Sequence, residues 1–319
     1  MSSETYRQGS EEKEEKEESR VEPITLPLHH GRKNRVFLLS YDEIPTWYQD
    51  NPWIRRGYRP VSNSVKSCLC SWVRLHNELV NIHSHLFAAV AFLLAEAYVL
   101  EPLHRKYSYV SGGDYAVLAI FLLAATVCFS FSAAYHTLIS HSQKVETIWL
   151  RLDFVGIIFL IVGSFIPGIY AGFWCEQFER TIYFGMTGGL GAVSIIVMLH
   201  PKFQGLKWRT FRLLTLVCTG LSGIAPIAHG IYKFGFPQMA LQSGLPYYLV
   251  EGGLFLLGAV VYATRFPERM HPGKFDIWGS SHQIFHVLVV FATIVHLVGV
   301  LTAFDYNYEN RQCATHVNG

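Results

Sequence analysis

Seven apolar stretches, each long enough to cross a membrane as a helix, constrain this chain more than any other feature. A helix needs about 20 consecutive, predominantly apolar residues to span the hydrocarbon core of a bilayer. The chain is also 50% hydrophobic and only 16% charged, which favours an integral membrane protein over a soluble one. The sequence therefore predicts an all-α membrane protein, a seven-transmembrane helix bundle. The predicted spans are residues 79–100, 115–138, 150–170, 181–199, 211–231, 245–264 and 282–302.

The distribution of lysine and arginine predicts how the bundle is oriented. Fourteen of these residues lie in the roughly 25 residues before the first span or in and beside the loops on the same side, against five on the opposite side. Because positively charged loops remain in the cytosol, we expect a cytosolic N-terminus. Seven spans then make the C-terminus extracellular. We expect a multi-pass protein of the plasma membrane or an endomembrane.

The segments outside the spans differ in character. Residues 1–40 are highly charged and carry too little apolar surface to fold, which predicts a disordered cytosolic tail. Residues 41–78 mix Trp and Tyr with Arg, as expected of a cytosolic juxtamembrane segment at the headgroup layer. Residues 79–305 form the predicted transmembrane domain and 306–319 a short extracellular tail. The six cysteines are interpreted as buried or incidental thiols rather than a disulfide framework.

Ionisable residues inside the predicted spans gather at one depth. By the predicted orientation, His136 lies at the cytosolic end of span two and Asp153 at the cytosolic start of span three. His282 and His286 begin span seven at the same level. Such residues are costly in a membrane and usually mark a functional site. Span one adds a row at this depth, formed by Glu78, Asn81 and His85.

The spacing of the histidines is compatible with a metal site. Positions four apart on a helix lie close enough for His282 and His286 to bind one ion. His136 would complete a three-histidine set with an open fourth position, the arrangement of catalytic zinc sites. Asp153 could then hold a water molecule, and Ser132 could donate a further hydrogen bond. The alternative, in which each histidine only hydrogen-bonds to a neighbouring carbonyl or hydroxyl group, remains equally open at this point.

Four separated motifs resemble one known family. They are GYRPVSNSVKSCLCSWVRLHNELVNIHSHL, FSAAYHTLISHSQKVETIWLRLDFVGI, GSFIPGIY and FPERMHPGKFDIWGSSHQIFHVLVVFATIVH. They look like the progestin and adipoQ receptor family, which includes adiponectin receptors and fungal Izh-type, haemolysin III-related proteins. The resemblance covers about residues 41–305.

The resemblance implies seven transmembrane helices and a zinc ion near the cytosolic leaflet, so residues 79–305 become a zinc-binding domain. On matching positions, His136, His282 and His286 become the zinc ligands. Asp153 becomes the residue beside the water at the zinc, and Ser132 the serine of an S-x3-H element. One departure is His83, where adiponectin receptors carry an aromatic residue.

The family is similar to alkaline ceramidases, and this likeness implies an activity. We expect a receptor-type hydrolase that cleaves ceramide or a related sphingolipid-like amide in the membrane, with a role in lipid and zinc homeostasis signalling. Two alternatives stay open: a receptor without turnover, in which zinc is structural, and a regulator of zinc or sterol metabolism. An extracellular protein ligand and a homo-oligomer are also left open. No nucleic-acid partner is expected.

Overall fold

The structure, a computed structural model, describes residues 37–107, 110–310 and 313, with the backbone alone for 99–106. The tail predicted over residues 1–40 lies outside the described residues except for its last four. Two of these form strand β1 (Leu39–Ser40), which pairs antiparallel with β2 (Arg56–Tyr58). Strand β1 therefore lies before the predicted boundary at residue 41.

Within the described residues, seven helical segments are long and apolar enough to cross a membrane. This confirms the predicted all-α, seven-span architecture. Two short helices, α1 and α8, precede the first and sixth spans. The helices in chain order are α1 (Val65–Cys70), α2 (Leu79–Lys106), α3 (Gly112–Leu138), α4 (Gln143–Gly172), α5 (Gln177–Leu199), α6 (Arg209–Leu221), α7 (Ile224–Phe234), α8 (Phe236–Gln242), α9 (Leu245–Thr264) and α10 (Ser281–Asn310).

Several helices extend beyond the predicted apolar stretches. Helix α10 continues to Asn310, past the boundary predicted at residue 305, and α3 begins at a cap formed by Ser111 and Asp114. Hydropathy marks only the part that crosses the hydrocarbon core, whereas helical hydrogen bonding continues into the polar layers. The fifth span is broken into α6 and α7 at Ser222 and Gly223. Pro226 follows in the first turn of α7, where a missing N–H is tolerated.

Helices that are adjacent in sequence pack against each other, and α10 closes the bundle through contacts with α2, α3 and α4. Small residues bring α3 and α4 unusually close. A Cβ atom at Gly156 would lie 3.0 Å from the Cα of Cys128, and one at Gly163 would lie 2.5 Å from the Cβ of Ala124. Membrane helices often use such residues at their interfaces. The close approach fixes the relative positions of the polar residues that these two helices carry.

One end of the bundle is covered by residues 41–78 and 265–280, which we call the cap. Its buried centre is Glu268, which is 0% exposed. The carboxylate accepts hydrogen bonds from Asn51 Nδ2 at 3.0 Å, and from the backbone N–H of Ser281 at 2.8 Å. The hydroxyl of Ser281 also donates to it. These bonds attach both parts of the cap to the first residue of α10.

The opposite end of the bundle holds a disulfide between Cys175 and Cys313, whose Cα atoms are 5.4 Å apart. The interpretation of all six cysteines as buried or incidental thiols was therefore wrong for this pair. The two residues are 138 positions apart, and only the folded bundle brings the link between α4 and α5 to the chain that follows α10. The other four cysteines are free thiols.

Candidate metal centre

Three imidazole rings meet at the capped end of the bundle. His136 comes from the last turn of α3, while His282 and His286 come from the first two turns of α10. The Nε2 atom of His282 lies 3.2 Å from Nε2 of His136 and 3.1 Å from Nε2 of His286. One nitrogen from each ring lies within 4.8 Å of the others, so the three residues could hold a metal ion. The structure thus brings together the three histidines singled out from the sequence.

The orientation of His136 fits a metal better than a network of hydrogen bonds. Its Nδ1 lies 2.7 Å from Oε2 of Glu78, and because a carboxylate only accepts, Nδ1 donates. The neutral ring then turns the lone pair of Nε2 towards His282. Nitrogens of a tetrahedral zinc site with bonds of 2.0–2.1 Å would be about 3.3 Å apart. The observed spacing is close to that value, and a cation removes the repulsion between facing lone pairs.

Glu78 is the residue at this site whose role the sequence did not reveal. Its Oε2 accepts from His136 Nδ1 and from Asn81 Nδ2, each at 2.7 Å. Hydrogen bonds donated to a carboxylate favour its ionised form, so both donors stabilise Glu78 as a carboxylate. A carboxylate behind a ligating histidine fixes the ring and raises its basicity. The sequence shows that Glu78 lies in a row with Asn81 and His85, but it does not show that Glu78 contacts His136 on another helix.

His85, the third member of the predicted row on span one, packs against the metal-binding group instead of joining it. Its ring stacks on that of His286 with centroids 3.7 Å apart and an interplanar angle of 10°. Phe129 meets the same ring edge-on, with centroids 5.0 Å apart. His83 is on a different face, where its Nδ1 donates to the carbonyl oxygen of Leu79 at 2.9 Å. His83 and His85, two residues apart, therefore lie on different faces of α2.

Arg59 was also missed by the sequence reasoning. The side chain is only 4% exposed, and its guanidinium donates to the carbonyl oxygens of His136 at 2.5 Å and Thr137 at 3.0 Å. These carbonyls end α3, where the helix itself supplies no further donors. A cation at a helix C-terminus is favourable. The cap therefore contributes directly to holding His136 in position.

Asp153 and Ser132 lie on α4 and α3, next to the metal-binding group. The side chains of His136 and Ser132 interact with the Asp153 carboxylate. Within the described part of the chain, the residues whose ligand atoms lie close enough to hold one ion are the three histidines, and Asp153 is not among them. Its position is that of a neighbour rather than a ligand. Gly156, one turn further along α4, allows the close contact with α3 that brings Asp153 to this position.

A single cavity of about 1190 Å³ connects these residues to the interior of the bundle. The three histidines, Asp153 and Ser132 line one part of it. Most of the remaining wall is apolar and comes from α4, α6, α7 and α9. A cavity of this size, apolar except for a few polar groups, is typical of a site for a sizeable organic ligand. Representative apolar lining residues are Ile161, Phe165, Leu216, Ile224, Leu249 and Phe255.

Comparison with known proteins agrees with this architecture. Residues 73–297 match the model of the family described as Haemolysin-III related. The chain is 39% identical over 274 residues to the "Adiponectin receptor protein" of Drosophila melanogaster, covering 86% of this chain and 61% of that relative. It is 40% identical over 272 residues to the "ADIPOR-like receptor IZH2" of Saccharomyces cerevisiae, covering 84% of each.

A plant relative supports the same span count by its name. The "Heptahelical transmembrane protein 5" of Arabidopsis thaliana is 31% identical over 339 residues, covering 83% of this chain and 90% of that relative. The chain spans less than two thirds of the Drosophila relative's length but most of the yeast and plant relatives. Together with the seven spans and the matched residues, these likenesses show that the chain belongs to the Haemolysin-III-related family of adiponectin-receptor-like membrane proteins.

Proposed function

We propose that this chain is an adiponectin-receptor-like zinc hydrolase that cleaves ceramide or a related lipid amide within the membrane. One observation carries the proposal: the three-histidine group and the acidic Asp153 share the wall of a largely apolar cavity of about 1190 Å³. A purely structural metal would need neither such a cavity nor an acidic side chain beside the ion. A lipid amide needs both, because its acyl chains must be held away from water while one polar bond is cleaved.

His136, His282 and His286 would hold the zinc ion, with Glu78 keeping the ring of His136 in the ligating orientation. Neutral imidazole nitrogens suit zinc. Zinc in such a site supplies a Lewis acid and lowers the pKa of a coordinated water. Among the residues of the chain, Asp153 has the position of a general base, and Ser132 that of a hydrogen-bond donor to the substrate.

The reaction adds water across the amide bond. Asp153 accepts a proton from the attacking water as its oxygen bonds to the carbonyl carbon. The hydroxyl of Ser132 donates a hydrogen bond to the carbonyl oxygen, on which negative charge develops. The carbon–nitrogen bond then breaks, and the proton held by Asp153 passes to the leaving nitrogen. The products are a fatty acid and a sphingoid base, and the apolar wall of the cavity holds their chains.

The disulfide supports the predicted orientation of the protein. Disulfides persist in extracellular and luminal environments and are rare in the cytosol, and Cys175–Cys313 lies at the end away from the histidines. We therefore propose that the histidine end faces the cytosol. In sealed vesicles with the cytosolic face outward, an impermeant maleimide should label the exposed Cys70 directly. It should label Cys175 only after permeabilisation and reduction. Labelling of Cys175 by the maleimide in reduced vesicles that have not been permeabilised would contradict this orientation.

The proposed activity can be tested by comparing two carboxylates on the same helix. Glu146 lies two turns before Asp153 on α4, is buried, and lines the same cavity. With labelled ceramide and purified protein in lipid nanodiscs, Asp153→Asn should lower turnover by at least about 100-fold, the contribution typical of a general base. Glu146→Gln should retain most of it. Metal content should be unchanged in both variants.

Three results would count against the proposal. Equal turnover in Asp153→Asn and the parent would remove Asp153 from the mechanism. Turnover by metal-free protein would remove zinc from it. Undetectable turnover in metal-loaded parent protein would instead favour a receptor without turnover, in which the metal only ties α3 to α10. That alternative is also consistent with the word "receptor" in the names of the fly and yeast relatives.

A further inference from the structure

A second polar cluster lies on the cavity wall, away from the candidate metal centre. It consists of His296 on α10, with Glu251 and Tyr248 on α9, and all three residues line the cavity. His296 follows His286 by ten positions, so at 1.5 Å per residue the two are about 15 Å apart along the helix. The cavity therefore has polar groups at two depths, separated by apolar wall.

The ring of His296 is held firmly. Its Nδ1 lies 2.6 Å from Oε2 of Glu251. The ring lies between Phe121 on α3, with centroids 4.5 Å apart, and Tyr248 on α9, with centroids 4.9 Å apart. Tyr248 in turn packs on Gly168, where an added Cβ would lie 2.8 Å from its ring. Three helices thus fix one imidazole that is only 2% exposed.

Two atoms of this cluster lack a partner among the described residues. They are Nε2 of His296 and the hydroxyl oxygen of Tyr248, both fully buried. Leaving a buried polar atom unpaired is costly, so such atoms normally bind a ligand or an ordered water. Because the carboxylate of Glu251 accepts from Nδ1, the neutral ring presents an acceptor at Nε2. The tyrosine hydroxyl can both donate and accept.

We infer that His296 and Tyr248 form a second anchoring site in the cavity, which hydrogen-bonds a hydroxyl group on the distal half of a long-chain lipid. A hydroxyl donates to Nε2 and accepts from a tyrosine, whereas a carbonyl or ether oxygen only accepts and leaves Nε2 unpaired. A ligand carboxylate is disfavoured by the carboxylate of Glu251. The distance of about 15 Å along α10 selects a hydroxyl far from the lipid end that lies at the three histidines. This inference rests on the proposed role of the cavity in binding lipid.

The test measures equilibrium binding of labelled octadecanoic acids to purified, metal-loaded protein in nanodiscs. The probes are the unsubstituted acid, an isomer with a hydroxyl beside the carboxyl group, and an isomer with a hydroxyl on the distal half of the chain. The parent should bind the distal isomer about tenfold more tightly than the other two, as expected for one satisfied buried hydrogen bond. His296→Phe and Tyr248→Phe should reduce this preference while binding the unsubstituted acid normally.

Tyr247→Phe is the matched control, because Tyr247 is adjacent in sequence but packs against Gly299 instead of lining the cavity. It should keep the preference for the distal isomer. Equal binding of all three acids by the parent, or an unchanged preference in His296→Phe, would overturn the inference and leave lipid binding intact. Failure of every acid to bind would overturn this inference, while ceramide turnover tests the hydrolase separately. A preference for the distal isomer in protein that does not hydrolyse ceramide would support this inference and refute only the proposed hydrolase activity.

Discussion

Helix α10 carries two buried histidines, His286 and His296, that differ only in what faces them. Each is 2% exposed. Nε2 of His286 faces another imidazole nitrogen at 3.1 Å, whereas Nδ1 of His296 faces a carboxylate oxygen at 2.6 Å. Three nitrogens that face one another can share one cation, whereas an imidazole N–H and a carboxylate satisfy each other. The same residue on one helix is therefore suited to a metal at one depth and to a hydrogen-bonded pair at the other.

The two clusters also share one feature, a carboxylate behind a histidine. Glu78 stands behind His136 at 2.7 Å, as Glu251 stands behind His296 at 2.6 Å. Both carboxylates accept from Nδ1 and orient the ring. The difference is at Nε2, which in His136 faces His282 at 3.2 Å and in His296 has no partner among the described residues. A carboxylate–histidine pair is thus not by itself a sign of metal binding.

The largest effect should be on zinc content, and it should differ between a histidine removed from the metal-binding group and one removed from the second cluster. We expect His286→Ala to lose essentially all bound zinc, because two remaining nitrogens make a poor site. His296→Ala should keep about one zinc per chain. Elemental analysis of protein purified without added metal measures both variants. Zinc retained at the parent level in His286→Ala would refute the proposed ligand set.

A smaller effect should follow from the carboxylates. Glu78→Gln should weaken zinc affinity about 10- to 100-fold, the range typical of losing a partner behind a ligating histidine. Glu251→Gln should leave the affinity unchanged, since its histidine is not a ligand. Competition with a chelator of known affinity provides the measurement. If both substitutions lowered zinc affinity equally, the two clusters would not be separate sites.

The smallest effect concerns stability at the second cluster. Glu251→Leu leaves Nδ1 of His296 buried without its acceptor and should lower the free energy of unfolding by about 1–3 kcal/mol. The double variant Glu251→Leu with His296→Leu should recover part of that loss, because removing both members of a buried pair costs less than removing one. Unfolding in mixed micelles followed by circular dichroism measures the difference. A double variant less stable than Glu251→Leu would contradict this account.

Much of the site could be predicted because its signals are local. Membrane spans appear in hydropathy, since a helix in lipid must present apolar side chains over a fixed length. His282 and His286 fall on one face because they are four residues apart. His136 joins them because span direction alternates and sets the depth of each residue. None of these steps needs the identity of neighbouring helices.

The sequence by itself determined the seven-span bundle and the common depth of the histidines. The tertiary structure alone decided that Glu78 lies behind His136, that His85 stacks on His286, and that Cys175 joins Cys313. These contacts depend on how far each helix is rotated about its axis and on which helices are neighbours. Packing over the whole bundle, including the close approach of α3 and α4 at their small residues, sets both the rotation of each helix and its neighbours. The hydropathy of the sequence reports neither.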